Sequence, residues 1–147
     1  MKPLVHRDQE AWDDLADVDP FWSILSDPAK QFSRWNVEEF FATGEKEIAG
    51  LLAEAGALGY PRKMERALDF GCGVGRLTRA LATRFRECQG VDISGKMIGH
   101  AQRLNDGVRN CRFFVNASED LAFLPSDHFD LIYSNIVLQH IPRKRHI

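Results

Sequence analysis

Two hydrophobic periods alternate along the chain beyond Pro61. Short apolar runs change places with stripes that repeat every three or four positions. Met64–Phe70 carries Ala67, Leu68 and Phe70 in a run short enough for a strand. Arg76–Phe85 then sets Leu77, Leu81 and Phe85 on one helical face. Cys88–Ile93 reads as a second strand. Ser94 caps the next helix, whose inward positions are Met97, Ile98, Ala101 and Leu104, and Asn105-Asp106-Gly107 stops it. Cys111–Val115 predicts a third strand and Phe129–Ser134 a fourth, with another helix beginning at Ile136. Leu121, Phe123 and Leu124 belong to a short helix or loop ended by Pro125-Ser126-Asp127. This alternation predicts an α/β fold built on a parallel sheet with right-handed crossovers.

Before Pro61 the pattern is helical only. Asp19-Pro20 and Asp27-Pro28 signal turns or helix starts around short helical pieces. Asn36 can cap a helix through Phe41, Thr43-Gly44 is a place where it can restart, and Ile48, Leu51, Leu52 and Ala55 continue the stripe towards Gly56 or Gly59. Trp12, Phe21, Trp22, Phe32, Trp35, Phe40 and Phe41 crowd this lead-in. They fit either a lid over a pocket or a satellite hydrophobic cluster.

Composition narrows the class. The chain has 147 residues, 44% hydrophobic and 27% charged, with a formal net charge of −2. That balance gives no field favouring nucleic acid or an anionic membrane. No apolar run approaches the roughly 20 residues of a membrane helix, and the N-terminus lacks a signal-peptide core. The one dense basic run is Arg143-Lys144-Arg145. Cys72, Cys88 and Cys111 make no C-x-x-C spacing and read as reduced core residues of a cytoplasmic protein. The five histidines form no metal-ligand pattern.

The chemistry gathers at Leu68-Asp69-Phe70-Gly71-Cys72-Gly73-Val74-Gly75, where the first strand runs through alternate glycines into a helix. Glycine tolerates positive φ and lets a ligand approach the backbone. The first helical turn offers N–H groups without intrahelical partners. A dinucleotide fingerprint, G-x-G-x-x-G, would need another glycine where Arg76 stands. Asp92 closes the second strand about twenty residues further on, where a carboxylate can accept both ribose hydroxyls. An acid there also suits a helix N-terminus, and both roles can coexist.

The D-x-G-x-G-x-G of Asp69 to Gly75 resembles the first motif of class I S-adenosylmethionine-dependent methyltransferases. Gly90-Val91-Asp92-Ile93-Ser94, Asn116-Ala117 and Phe129-to-Asn135 followed by Ile136-to-Pro142 are similar to the motifs that follow it. The surrounding pattern is most similar to the small-molecule branch. The resemblance implies a Rossmann-like core with a partial parallel sheet in the order 3-2-1-4, helices on both faces and an N-terminal helical segment. Residues 1–60 would be a helical lead-in or lid, and 61–147 the cofactor-binding core, incomplete at its C-terminus.

The same resemblance assigns S-adenosylmethionine as cofactor. Gly71, Cys72, Gly73 and Gly75 would hold its methionine end, with Asp69 supporting the ammonium directly or through water. Asp92 would hold ribose and Ile93 pack on adenine. Asn116 would accept from the adenine amine and the Ala117 N–H meet a ring nitrogen, although Asn116 stands where the family often has Asp and equally suits a turn cap. Ser134 would border donor and acceptor, and Arg34 would pair with the cofactor carboxylate or be a solvated surface arginine. His140 is a candidate general base or a structural, partly exposed histidine. The acceptor would be a small molecule. The alternatives are a binding fragment without turnover and a nicotinamide-dependent oxidoreductase. The family's sheet has the order 3-2-1-4-5-7-6, so strand 129–134 would lie at an open edge. Self-association through residues 129–147, by edge pairing or helix exchange, is the expectation.

Overall fold

The computed structural model describes residues 4–141. Pro142 and the basic run Arg143-Lys144-Arg145 lie outside the described residues. Helices α1 (Leu4–Val18), α2 (Pro20–Ile24) and α3 (Val37–Ala57) precede strand β1 (Arg66–Phe70). Helix α4 (Arg76–Ala82), β2 (Glu87–Asp92), α5 (Gly95–Leu104), β3 (Cys111–Val115) and β4 (Leu131–Tyr133) follow. The four strands pair in parallel, as the alternation predicts, and in the order β3-β2-β1-β4 that the resemblance implies.

The helix boundaries have local causes. Asp19 caps α2 by accepting from the Trp22 N–H, and Asp27 caps the 3-10 turn Pro28–Lys30. Asn36 accepts from the N–H groups of Glu38 and Glu39 at the start of α3, and Ser94 accepts from Met97 at the start of α5. Three expectations fail. Helix α3 does not restart at Thr43-Gly44 but runs through it. A Cβ on Gly44 would lie 2.7 Å from the Arg76 carbonyl oxygen, so this glycine serves close helix packing. Helix α4 stops at Ala82 rather than Phe85, because the Arg84 and Phe85 N–H groups turn back onto the Leu81 carbonyl before β2 begins. The helix expected from Ile136 is replaced by a 3-10 turn, Leu138–His140. Ile136 itself has φ +62, a left-handed backbone unfavourable to a β-branched residue, which breaks helical continuation.

Two apolar clusters hold the layers together. Ile48 of α3, Leu77 and Leu81 of α4, Phe85, and Ala67 and Cys88 of the sheet form the first. Ala16, Phe40, Phe41, Val74 and Met97 form the second, with Trp12, Phe21, Ile24 and Trp35 packed against it. Fully burying a side chain such as Leu81 or Phe40 contributes about 1.5–3 kcal/mol. Of the lead-in aromatics, Trp12, Phe21, Trp35, Phe40 and Phe41 therefore make a cluster around Phe40, with Phe21 at 4.6 Å and Trp35 at 5.6 Å between ring centroids, whereas Phe32 is exposed. Because Val74 belongs to it, this cluster rests on the glycine turn itself. On the sheet's edge strands Phe114 meets Phe123 of the β3–β4 connection, while Ile132 of β4 is 62% exposed.

Candidate functional site

The site grows from the end of β1. Gly71, Gly73 and Gly75 have φ values of +77, +53 and +84, so the turn needs left-handed backbone at alternate positions. Its N–H groups are anchored: those of Gly71 and Cys72 donate to the Val91 carbonyl at 2.7 and 3.1 Å, joining the turn to β2. The Gly73 N–H donates to Asp92 Oδ2 at 2.8 Å, and the Ser94 N–H to Asp92 Oδ1 at 2.9 Å. Asp92 is thus the clasp between the turn and the start of α5. Burial raises its carboxyl above the ordinary carboxylate range, against the lowering effect of the Ser94 and Gly73 N–H bonds. A carboxylate offers about four lone-pair sites. The Gly73 and Ser94 N–H groups, with that of Ile93 also bearing on the carboxylate, leave acceptor capacity that fits a ligand hydroxyl.

Asp69 is 1% exposed and accepts the Thr78 hydroxyl at 2.7 Å. Burial pushes its carboxyl up to about 7, with the neighbouring Asp92 charge adding to the rise and the Thr78 bond opposing it. Cys72 is also buried, and burial pushes its thiol up, as it does Cys88 to about 12 and Cys111 to about 11. These thiols are poor nucleophiles, since the thiolate is the reactive form.

At the neighbouring strand end, Ser134 donates its hydroxyl to the Phe70 carbonyl at 2.9 Å and ties the end of β4 to β1. Ile93 is half-buried beside Asp92. The Asn116 N–H donates to the Asp92 carbonyl at 2.8 Å, which brings Asn116 and Ala117 to the same end of the sheet. The Asn116 side chain caps its own turn: its oxygen accepts from Ser118 and its amide donates to the Asp120 carbonyl at 2.6 Å. His140 is exposed, with its ring edge-on to Trp12 at 5.4 Å and a ring nitrogen 3.1 Å from Gln139 Nε2. Arg34 is exposed on the loop before α3. The Ser33 N–H next to it is anchored to Asp19 at 2.6 Å.

Several residues enter the site that patterning does not single out. A Cβ on Gly71 would lie 2.2 Å from Val137 Cγ2, and one on Gly73 would lie 2.5 Å from Ile24 Cδ1. The two glycines thus receive aliphatic tips from opposite ends of the chain. Asp13 of α1 accepts the Ser94 hydroxyl at 2.5 Å and the Lys96 N–H at 3.2 Å, beside the Asp92 clasp. Asp17 pairs with Lys96 alongside. Glu47 of α3 binds Arg76, Tyr133 and Asn135. A one-turn spacing of Thr43 and Glu47 beside the apolar stripe of α3 marks a polar seam, but not its partners.

Comparison with known proteins agrees with this geometry. Residues 67–147 match the family described as methyltransferase domain. The chain is 32% identical over 114 residues to the uncharacterized methyltransferase YcgJ of Bacillus subtilis strain 168, covering 76% of this chain and 43% of that one. It is 33% identical over 100 residues to trans-aconitate 2-methyltransferase of Streptomyces avermitilis, covering 66% and 36% respectively. Among solved structures, magnesium protoporphyrin IX methyltransferase from Synechocystis PCC 6803 with bound S-adenosylmethionine superposes with a TM-score of 0.56 at 27% identity, covering 92% of this chain and 64% of that one. The chain spans less than half the length of both sequence relatives.

Proposed function

Because the chain belongs to the class I S-adenosylmethionine-dependent methyltransferases, we propose that it holds that cofactor between the glycine turn and the end of β2 and directs its methyl group to a small-molecule acceptor. The observation that carries the reading is the Asp92 clasp, a carboxylate fixed at the crevice by the Gly73 and Ser94 N–H groups with acceptor capacity to spare. A small acceptor is favoured by the likeness to trans-aconitate 2-methyltransferase and magnesium protoporphyrin IX methyltransferase, both named for such substrates.

When bound, the cofactor supplies a methyl group already activated by its sulfonium. The protein's task is then alignment and exclusion of water. Asp92 receives the ribose hydroxyls, and Ile93 packs against adenine. Asn116 and Ala117 meet its edge, Asn116 keeping its turn cap. Gly71, Cys72, Gly73 and Gly75 line the methionine end, and Ser134 borders the donor. Asp69 sits beneath the turn as a counter-charge for the ammonium, and Arg34 serves the carboxylate. His140 accepts a proton from the acceptor, held by its edge contact with Trp12. The lead-in helices cover the turn through Ile24 and the Phe40 cluster. We place the work in the cytoplasm, in keeping with three free thiols. Among the described residues no helix is long and apolar enough to cross a membrane.

Calorimetric titration with S-adenosylhomocysteine tests the reading, with NAD as the control ligand. The wild type should bind the first and give no heat with the second. Hydrogen bonds to a charged group contribute about 1.5–3 kcal/mol, so Asp92→Ala should weaken binding roughly ten- to hundred-fold. Wild-type affinity in a folded Asp92→Ala protein would reject the ribose assignment. Single-turnover transfer of labelled methyl separates an enzyme from a protein that only binds.

The same reading carries a second proposal, self-association through β4. This strand pairs with β1 on one side and is the edge of the described sheet. Ile132, Ile136 and Leu138 are exposed beside it, and apolar parallel edges promote pairing between chains. Light scattering should show a concentration-dependent rise in mass that Ile132→Lys reverses. A monomer at every concentration would remove this proposal without touching the cofactor reading.

A further inference from the structure

Glu47 lies on α3, outside the glycine turn and outside β4, yet its two carboxylate oxygens reach both. Oε2 accepts from Arg76 Nη2 at 2.8 Å. Oε1 accepts from the Tyr133 hydroxyl at 2.9 Å and from Asn135 Nδ2 at 2.5 Å. Arg76 directly follows Gly75, the last glycine of the turn. Tyr133 and Asn135 flank Ser134, whose hydroxyl is bound to the Phe70 carbonyl beside Gly71. One side chain therefore spans the two strand ends between which the crevice opens. We propose that Glu47 is a positioning residue that fixes the spacing of the two crevice walls, the turn at Gly71–Arg76 on one side and Tyr133–Asn135 on the other. The proposal rests on the cofactor reading above.

The physics favours a rigid hub over an incidental surface pair. Arg76 is 4% exposed and also donates to Thr43 Oγ1 at 3.2 Å, so Thr43 and Glu47, one turn apart on α3, grip the same guanidinium. Its Nε is buried without a partner among the described residues, and Glu47 is the carboxylate in ion-pair contact with the guanidinium. Removing that carboxylate leaves a buried cation unpaired, which is strongly unfavourable. Gly44, one turn before Ile48 on the same helix, lets α3 approach the Arg76 carbonyl closely enough for this grip. Burial together with the Glu47 hydrogen bond pushes the Tyr133 hydroxyl up to about 12, so it remains a donor at neutral pH. Asn135 is also a donor and cannot titrate. Both donors to Glu47 therefore keep their protons at neutral pH.

A purely structural ion pair and a positioning residue make different predictions for folded variants. The experiment is titration of the 147-residue chain with S-adenosylhomocysteine, alongside thermal melts of each variant. Asn135→Ala removes one contact to the β4 wall and leaves the Arg76 pair intact. It should weaken affinity by about fivefold, and Glu47→Gln by about tenfold or more, because small misplacements of a site are amplified in what it holds. The double variant Glu47→Ala/Asn135→Ala should bind no more weakly than Glu47→Ala, since the first change already removes the contact that the second would. Replacing Glu47 and Arg76 together by methionine should recover melting temperature without recovering affinity. A structural role predicts lowered melting temperatures with wild-type affinity in every folded variant, and that result overturns the proposal. If Glu47→Gln does not fold, Asn135→Ala decides by itself, with wild-type affinity overturning the hub. If the wild type binds no S-adenosylhomocysteine, the cofactor reading falls first and this inference with it. Wild-type binding with unaltered variants removes only the hub.

Discussion

Gly75→Ala is expected to lower the unfolding free energy by about 3 kcal/mol, combining left-handed strain with overpacking. Gly75 has φ +84 at the start of α4. A Cβ there would lie 2.7 Å from Phe113 Cε1 and 2.8 Å from both Phe113 Cζ and Asn105 Nδ2. Neither neighbour can yield cheaply. Asn105 is 4% exposed, and its amide donates to the Val74 carbonyl at 3.1 Å and the Ala101 carbonyl at 2.8 Å. Moving it would unpair the glycine turn from the end of α5. Gly50→Ala is the control. Gly50 lies within α3 with open space around its Cβ position, so alanine there should raise stability by up to about 1 kcal/mol. Urea titration of both variants is the measurement, and a Gly75→Ala midpoint matching wild type would show that the turn does not need its left-handed residue.

The second large effect is a fall in stability as pH rises from about 4 to about 7, caused by Asp69. Its carboxyl is pushed up to about 7 in the folded protein, chiefly by burial, from 3.8. Between those values the folded state carries a proton that the unfolded state has lost. Stability therefore decreases with increasing pH across that window and levels off above it. At about 1.4 kcal/mol per unit, the loss is on the order of 4 kcal/mol. Asp92, raised in the same direction by burial, adds a contribution of the same sign. Asp69→Asn keeps an oxygen to accept the Thr78 hydroxyl but cannot ionise. The difference between wild type and Asp69→Asn, followed by urea titration from pH 4.5 to 8, should grow in favour of the variant as pH rises. A difference independent of pH would mean that Asp69 titrates as an ordinary carboxylate. The same linkage bears on function, because a ligand ammonium placed near Asp69 would draw out its proton. Binding heats near neutral pH should then depend on the ionisation enthalpy of the buffer.

These two effects concern residues that were visible in the linear chain, and their magnitudes were not. The D-x-G-x-G-x-G spacing located Asp69 and Gly75, but nothing in it indicated that Asp69 would be sealed against Thr78. Asn116 shows the same limit. Its position at the end of β3 was legible, whereas the closure of its amide on Ser118 and Asp120 depended on how the following turn folded. The lead-in was the least legible part. The short pieces expected before Pro28 include a 15-residue helix, α1, whose acidic face docks on the start of α5 through Asp13 and Asp17. Its helicity is stabilised by that docking, and a polar face carries no address for its partner.

By itself the sequence determined the parallel alternation of strands and helices and the identity of the turn, while the strand order followed from the family resemblance. Short apolar runs, helix caps at Asn36 and Ser94, and glycines at positive φ are local signals, each acting within a few residues of where it is written. Right-handed crossovers then leave few ways to join the strands. The tertiary structure alone decided what meets across the site. Ile24 over Gly73, Val137 over Gly71, and Glu47 between Arg76 and Asn135 join residues remote in the chain. Such contacts arise from packing and charge burial once the layers close, and a carboxylate on a helix becomes a hub only when a buried guanidinium is brought to it.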